Sequence, residues 1–157
     1  MSDKKNLKLV FAASSGGHLE QLLMLKPLME KYDSILVTES TDYGAGKLDV
    51  PTYYVNQINR KEILFIPKLV VIGFKSLRIL LKEKPDVMIT TGVLATIPMA
   101  LLVKLFGKKL IYLESFAKVT SKTLSGKLLY KYADQFYVQW EEMLKLYPNA
   151  IYKGGIY

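Results

Sequence analysis

The feature that most constrains this chain is an alternation. Short apolar, β-branched runs are separated by longer stretches with helical spacing. The runs 7–13, 34–38, 52–55, 87–91, 109–113 and 135–139 read as strands, and the stretches 17–31, 67–84, 95–106, 123–131 and 141–146 as helices. Such alternation specifies βαβ units and a mostly parallel sheet. Runs such as LVFAA and VMITT are apolar throughout, as strands are when helices cover both faces. The 157 residues make one domain of ordinary size, with no linker, repeat or low-complexity tract in the sequence. The expectation is a single α/β, Rossmann-like domain over residues 1–157. In such a sheet, ligands gather outside the carboxyl ends of the strands.

Charge narrows the partners. Lys plus Arg number 22 against 14 Asp plus Glu, a net charge of +8, which favours an anionic partner. Only Arg60 and Arg78 are arginines. Nucleic-acid readers lean on the bidentate arginine fork, whereas lysine suits diffuse anionic surfaces, so a nucleic-acid partner ranks last. The absence of cysteine excludes disulfides, thiolate catalysis and zinc–cysteine sites, and fits a reducing compartment. The apolar run 9–13 is shorter than the ~7–15 residues of a secretory h-region. No segment reaches ~18 uninterrupted apolar residues, so a membrane-spanning helix is not expected.

The first strand–helix turn reads Ser14, Ser15, Gly16, Gly17, His18. Small residues allow a tight turn and close approach of a ligand, and the free N–H groups at a helix start suit an anion such as phosphate. The turn lacks the Gly-x-Gly-x-x-Gly fingerprint, which argues against NAD despite Glu39 standing after the second strand. Residues 44–47, Gly-Ala-Gly-Lys, are no P-loop, because the glycine spacing is wrong and Leu48 replaces Ser or Thr. His18 is the only histidine. It is either a packing residue at the helix start or a base or phosphate donor, for which its near-neutral pKa suits it. No Asp-x-Asp pair occurs, so a familiar set of carboxylate ligands for a divalent metal is missing and no metal is expected.

Lys68, Lys75 and Lys82 recur every seven residues and form one helical stripe with Arg78 beside it. Val71, Ile72 and Ile79 fall on or beside the lysine side, and Val70, Leu77 and Leu81 lie opposite. A helix apolar nearly all round, with lysines threaded through it, suits a bilayer interface. Further on, Glu114 and Ser115 stand at a strand's carboxyl end, and Ser121, Thr123 and Ser125 offer caps and hydroxyl donors.

Several of these residues together resemble the asparagine-linked glycosylation protein fourteen family and its bacterial polysaccharide relatives. The matching features are Ser15-Gly16-Gly17-His18, Glu114-Ser115-Phe116-Ala117 followed by basic Lys118, Leu124-Ser125-Gly126-Lys127, Val138-Gln139-Trp140, Tyr147-Pro148 and Gly154-Gly155-Ile156-Tyr157. Two departures stand out. Lys118 replaces the usual arginine, and Thr90-Thr91-Gly92-Val93-Leu94 replaces a Gly-x-Gly turn.

The resemblance implies the N-terminal half of a split GT-B glycosyltransferase. It would be the acceptor-binding, membrane-associating subunit of a two-chain enzyme that adds a sugar to a polyprenyl-diphosphate-linked sugar in capsule or exopolysaccharide biosynthesis. The UDP-sugar is then a co-substrate held mostly by a C-terminal-half partner subunit, with no cofactor. The location is peripheral, on the cytoplasmic face of a membrane. His18 or Glu114 would take the proton from the attacking hydroxyl, with His18 preferred. Ser14, Ser15, Gly16, Gly17, Arg60, Thr91, Gly92, Ser115 and Lys118 would face the acceptor and its diphosphate, and Lys68, Lys75, Arg78 and Lys82 the membrane. Gln139, Trp140, Gly155, Ile156 and Tyr157 would meet the partner, since the apolar end 150–157 is too short and glycine-rich to fold alone. The competing readings are a non-catalytic membrane scaffold and a self-sufficient nucleotide-binding Rossmann enzyme.

Overall fold

Seven strands form one sheet in the order β3-β2-β1-β4-β5-β6-β7, every pair parallel. The computed structural model describes residues 5–40, 49–59 and 61–157. The strands are β1 (Lys5–Ala13), β2 (Tyr32–Glu39), β3 (Thr52–Val55), β4 (Val87–Thr90), β5 (Lys109–Leu113), β6 (Gln135–Val138) and β7 (Ile151–Tyr152). The helices are α1 (Gly17–Leu23), α2 (Lys26–Lys31), α3 (Phe65–Glu83), α4 (Ile97–Leu105) and α5 (Leu124–Leu129). The expected Rossmann-like sheet is present, and it is parallel throughout the described residues rather than mostly so.

The period of two along β1 shows why its run is apolar without a break. Val10 and Ala12 point into one core, where Ile72, Ile79 and Leu80 of α3, Met99, Ala100 and Val103 of α4, and Leu129 of α5 cover them. Leu9, Phe11 and Ala13 point into the other, under Leu19 and Leu22 of α1 and Met29 of α2. Each face of a central strand needs its own apolar set, so alternation disappears from the sequence.

Three elements differ from the sequence expectation. The helix over 17–31 is two helices. Pro27, at the start of α2, lacks an N–H and its ring would meet the carbonyl one turn earlier, so the chain restarts with Leu25 as cap. Glu141–Lys145 winds as a 3₁₀ helix, because Pro148 lies too close for an α-helix to extend. The C-terminal segment forms β7, pairing Tyr137 with Ile151 and Val138 with Tyr152. The tail is therefore partly folded on its own sheet.

Both faces of the molecule carry unfinished apolar surface. Among the described residues, no helix fully covers β4 to β6 on the α1–α2 side. Ile89, Ile111, Leu113 and Tyr137 line a cleft of about 340 Å³ with Leu25 and Ile156. On the other side, α3 divides into three sectors. Ile72, Ser76, Ile79 and Leu80 are buried. The lysines occupy a second sector, and Val70, Phe74 and Leu81 lie exposed in the third, Phe74 at 70%. Val70, Phe74 and Leu77 share a groove of about 560 Å³ with Pro98, Leu101 and Leu105. The expected mixture of lysines and apolar residues is resolved in part: Ile72 and Ile79, on one side of the lysines, are core residues, Val71 stays exposed among the lysines, and the open apolar stripe of Val70, Phe74 and Leu81 lies on their other side. Among the described residues no helix is long and apolar enough to cross a membrane.

Candidate functional site

The sheet order reverses between β1 and β4, and the loops at their carboxyl ends meet there, at the crevice where this architecture holds ligands. The β1–α1 turn needs its glycine. Gly16 has φ +78°, and its carbonyl accepts from the amides of Leu19 and Glu20 at 2.9 and 3.0 Å. Ser14 is buried, Ser15 half-buried, and Gly16 and Gly17 are exposed. The next turn, after β4, is tied to it: Thr91 Oγ1 donates to the carbonyl of His18 at 3.2 Å. Gly92 has φ +81° and packs so closely on the hydroxyls of Tyr112 and Ser125 that no Cβ fits. Val93, in the stretch that replaces a Gly-x-Gly turn, takes φ +109°, a backbone region that costs a non-glycine residue about 1–3 kcal/mol.

His18 is half-buried at the mouth of this crevice, and its Nδ1 is buried without a hydrogen-bond partner among the described residues. Burial lowers its pKa below the ordinary histidine value, against the opposing pull of the Thr91 backbone and the Glu114 carboxylate. The imidazole is therefore neutral at pH 7 and free to accept a proton.

Glu114 is in a different situation. It is 1% exposed. Its Oε1 accepts from the Ser115 amide at 2.9 Å and from Thr123 Oγ1 at 2.8 Å, and its Oε2 accepts from Tyr147 Oη at 2.8 Å. Tyr112 Oη approaches Oε1 at 3.5 Å. Burial and the nearby Glu114 charge raise the pKa of both tyrosines, so each remains a donor. Gly126 lies against this cluster, where a Cβ would collide with Glu114 Oε2, Tyr147 Oη and Thr123 Oγ1. The Gly126 amide also donates to Thr123 Oγ1 at 2.9 Å, capping α5. The Leu-Ser-Gly-Lys motif thus has a packing reason.

The loop that follows is clamped from both sides. The Phe116 amide donates to Gln21 Oε1 at 3.1 Å, and the Phe116 carbonyl accepts from Trp140 Nε1 at 2.7 Å. The Phe116 ring packs on Trp140 and Tyr157, with centroids at 4.9 and 5.0 Å. Ser115 and Lys118 are half-buried on this loop, where the Lys118 amide closes a turn onto the Ser115 carbonyl at 3.0 Å. Gln139 is buried and bonds the Ile156 amide through Oε1 at 2.8 Å. Gly155 lies against the Phe116 ring. All five residues assigned to a partner interface thus first serve the chain's own fold, with Tyr157 still 61% exposed.

The remaining expected residues lie elsewhere. Arg60 and the 44–47 segment fall outside the described residues. Lys68 pairs with Glu62, Lys75 bonds Asn56, and Lys82 donates to Tyr53 Oη at 2.9 Å. Arg78 lines a cleft of about 380 Å³ with Tyr53, Tyr54, Lys75 and Lys82. Among the described residues, no three metal-ligating side chains gather at one point. Gln21 and Tyr112 carry the site without having been singled out, and Tyr147 was marked only as part of a motif. Gln21 stands one helical turn from His18, and the Tyr-Pro pair marked Tyr147 without revealing its role.

A Rossmann-like domain with ligand loops on one open edge is the architecture of half a GT-B glycosyltransferase. The chain superposes on crystalline MurG from Acinetobacter baumannii with a TM-score of 0.74 at 17% identity, covering 87% of this chain and 42% of that one. It spans less than half of that structure's length. Residues 54–156 match the family model described as oligosaccharide biosynthesis protein Alg14 like. Relatives named UDP-N-acetylglucosamine transferase subunit ALG14 include one from Yarrowia lipolytica, 30% identical, covering 95% of this chain and 81% of that protein. The mouse protein of the same name is 26% identical over 99% of this chain and 86% of its own length. The chain belongs to the Alg14-like family of oligosaccharide biosynthesis proteins and is a glycosyltransferase subunit.

The packing around Gly126 makes a direct forecast. Gly126→Ala is expected to cost about 2 kcal/mol, a fall of roughly 4–8 °C in Tm, because the methyl group displaces the Glu114 carboxylate from its donors. Thermal melting of the purified chain checks this; an unchanged Tm would mean that the cluster has slack the packing denies.

Proposed function

We propose that the chain is the acceptor-side, membrane-associating subunit of a two-chain glycosyltransferase. It acts with a C-terminal-half partner that holds most of the UDP-sugar, on a polyprenyl-diphosphate-linked sugar in capsule or exopolysaccharide assembly. The observation that carries the reading is the half-built cleft: His18, the Thr91–Val93 turn and the Ser115–Lys118 loop share one open edge of a domain spanning under half of a GT-B chain. The relatives' printed name supports N-acetylglucosamine as the donated sugar.

In this reading the acceptor diphosphate meets the backbone N–H groups of the Ser14–Gly17 turn, with Ser115 and Lys118 on the facing loop. Arg60 is assigned the same anion. With only seven residues, α1 adds little dipole, so the turn amides and Lys118 carry the recognition. His18 takes the proton from the acceptor hydroxyl as that oxygen attacks the anomeric carbon of the donor, and UDP departs toward the partner with inversion. Burial and saturation of the Glu114 carboxylate favour His18 over Glu114 as the base.

The open apolar face of α3 and α4 supports peripheral attachment to the cytoplasmic face of a membrane. Phe74, Val70, Leu101 and Leu105 enter the interface, while Lys68, Lys75, Arg78 and Lys82 lie against lipid phosphates. The partly covered sheet face around Ile111 and Ile156 gives the partner its apolar contact, beside the exposed ring of Tyr157.

Transfer from UDP-N-acetylglucosamine to membrane lipid acceptor tests the central reading, with each chain alone and both together. Only the pair is expected to transfer efficiently. His18→Ala in the pair should lose at least about 100-fold in kcat. The acid limb of kcat/KM should fall below pH ~6.5, since protonation at the lowered His18 pKa removes the base. Full activity from this chain alone would overturn the split reading, and an unaffected His18→Ala pair would favour the scaffold role.

Vesicle sedimentation tests the membrane face. The chain should bind phosphatidylglycerol-rich vesicles, Phe74→Asp should abolish binding, and salt should weaken it. Equal binding by Phe74→Asp would remove α3 from the interface.

A further inference from the structure

Two buried glutamines have no part in the proton transfer. Gln21 on α1 is 2% exposed and Gln139, just past β6, is 5% exposed. A buried amide left without partners is costly, and each of these is satisfied at both ends. Gln21 Nε2 donates to the Glu114 carbonyl at 3.2 Å while its Oε1 accepts from the Phe116 amide at 3.1 Å. Gln139 Nε2 donates to the same Glu114 carbonyl at 3.2 Å while its Oε1 accepts from the Ile156 amide at 2.8 Å. Two side chains thus fill both lone pairs of one carbonyl oxygen.

The reason lies in the strand ends. The β5–β6 ladder finishes at Leu113 and Tyr137, and the Glu114 amide still reaches the Tyr137 carbonyl at 2.9 Å. Past that point the chain at 114–116 has no strand neighbour on either side among the described residues. Each glutamine supplies one donor and one acceptor, as a neighbouring backbone would. One of these substitutes comes from the helix that carries His18, the other from the segment that holds the C-terminal tail.

The helix needs such a tie. With seven residues, α1 is too short to be stable alone. Positions 18 and 21 lie one turn apart on one face. The His18 carbonyl is held by Thr91 and the Gln21 side-chain amide by the 114–116 segment, so the helical turn that carries the imidazole is fixed from two directions.

We propose that Gln21 and Gln139 are positioning residues: a two-amide bridge through the Glu114 carbonyl sets His18 against the Ser115–Lys118 loop and couples both to the tail at Ile156. The functional sense of the bridge rests on the proposed role of His18, but its existence does not. A change in the tail, some distance along the chain from α1, reaches His18 through two hydrogen-bonded side chains.

His18 is the only histidine in the sequence, so its imidazole NMR signals are unambiguous in the full chain. Gln21→Met keeps length and removes both bonds; the His18 midpoint should rise toward the ordinary value of about 6.5 as its burial relaxes. Gln139→Met should move the same signals in the same direction by a smaller amount, and the Ile156 amide should lose exchange protection. Leu144→Ala, in the other core, is the stability control and should leave His18 in place. If Gln21→Met does not fold, Gln139→Met alone carries the test through the His18 signals and the Ile156 amide.

In the reconstituted pair, both methionine variants should lower kcat about tenfold with donor KM unchanged. A Gln139→Met chain whose His18 signals and midpoint match the wild type would overturn the bridge. So would a Leu144→Ala chain that shifts them equally. Shifted His18 signals with undiminished transfer would instead support the bridge and remove His18 from the chemistry.

Discussion

One buried carboxylate organises the functional end of this domain. Glu114 is almost wholly out of water, and its charge is met by neutral donors from three separate segments: the Ser115 amide, the Thr123 hydroxyl and the Tyr147 phenol. A bare charge in such a place would be prohibitive, and each hydrogen bond to it contributes about 1.5–3 kcal/mol. The geometry of everything near it follows. Thr123 must start α5, because its hydroxyl both reaches the carboxylate and caps the helix. Residue 126 must be glycine, because the Glu114–Tyr147 bond passes over it. The backbone carbonyl of the same residue then collects the two glutamines, so side chain and main chain of one glutamate hold α1, the loop, α5 and the tail together.

That rigidity concerns only the ligand edge; the flanks are left open. One sheet face lacks a complete helical cover, and α3 shows an apolar stripe to the outside next to a basic one. A domain that completed its own core would bury both. The proposed contacts with another chain and a lipid surface give a reason to leave them open. The fold likeness to less than half of a GT-B chain and the open crevice at the β1–β4 switch point agree with this.

Much of this was legible in the sequence. The strand runs were visible because central parallel strands are apolar on both faces, and 52–55 and 109–113 coincide with β3 and β5. The break at Pro27 was readable in principle, but the apolar spacing of 17–31 continues through it and masked it. β7 was not readable, since two paired residues make no periodic signal. The position of Glu114 at a strand end suggested a ligand group; nothing in a sequence tells whether such a carboxylate points into the crevice or back under the loop. Gln21 escaped for the same reason, because its importance comes from a carbonyl 93 residues away. Of the apolar neighbours of the lysine stripe, Ile72 and Ile79 belong to the core while Val71 stays exposed, which only the docking of α3 decides.

The central claim is that side chains around Glu114 lock a segment that has no strand partner. Amide hydrogen exchange in the full chain tests it most directly. The amides of Ser115, Phe116 and Ile156 should exchange as slowly as those of β1 and β4, since each is bonded to a buried side chain. Exchange of these three at the rate of an exposed loop, while the strands stay protected, would contradict the account.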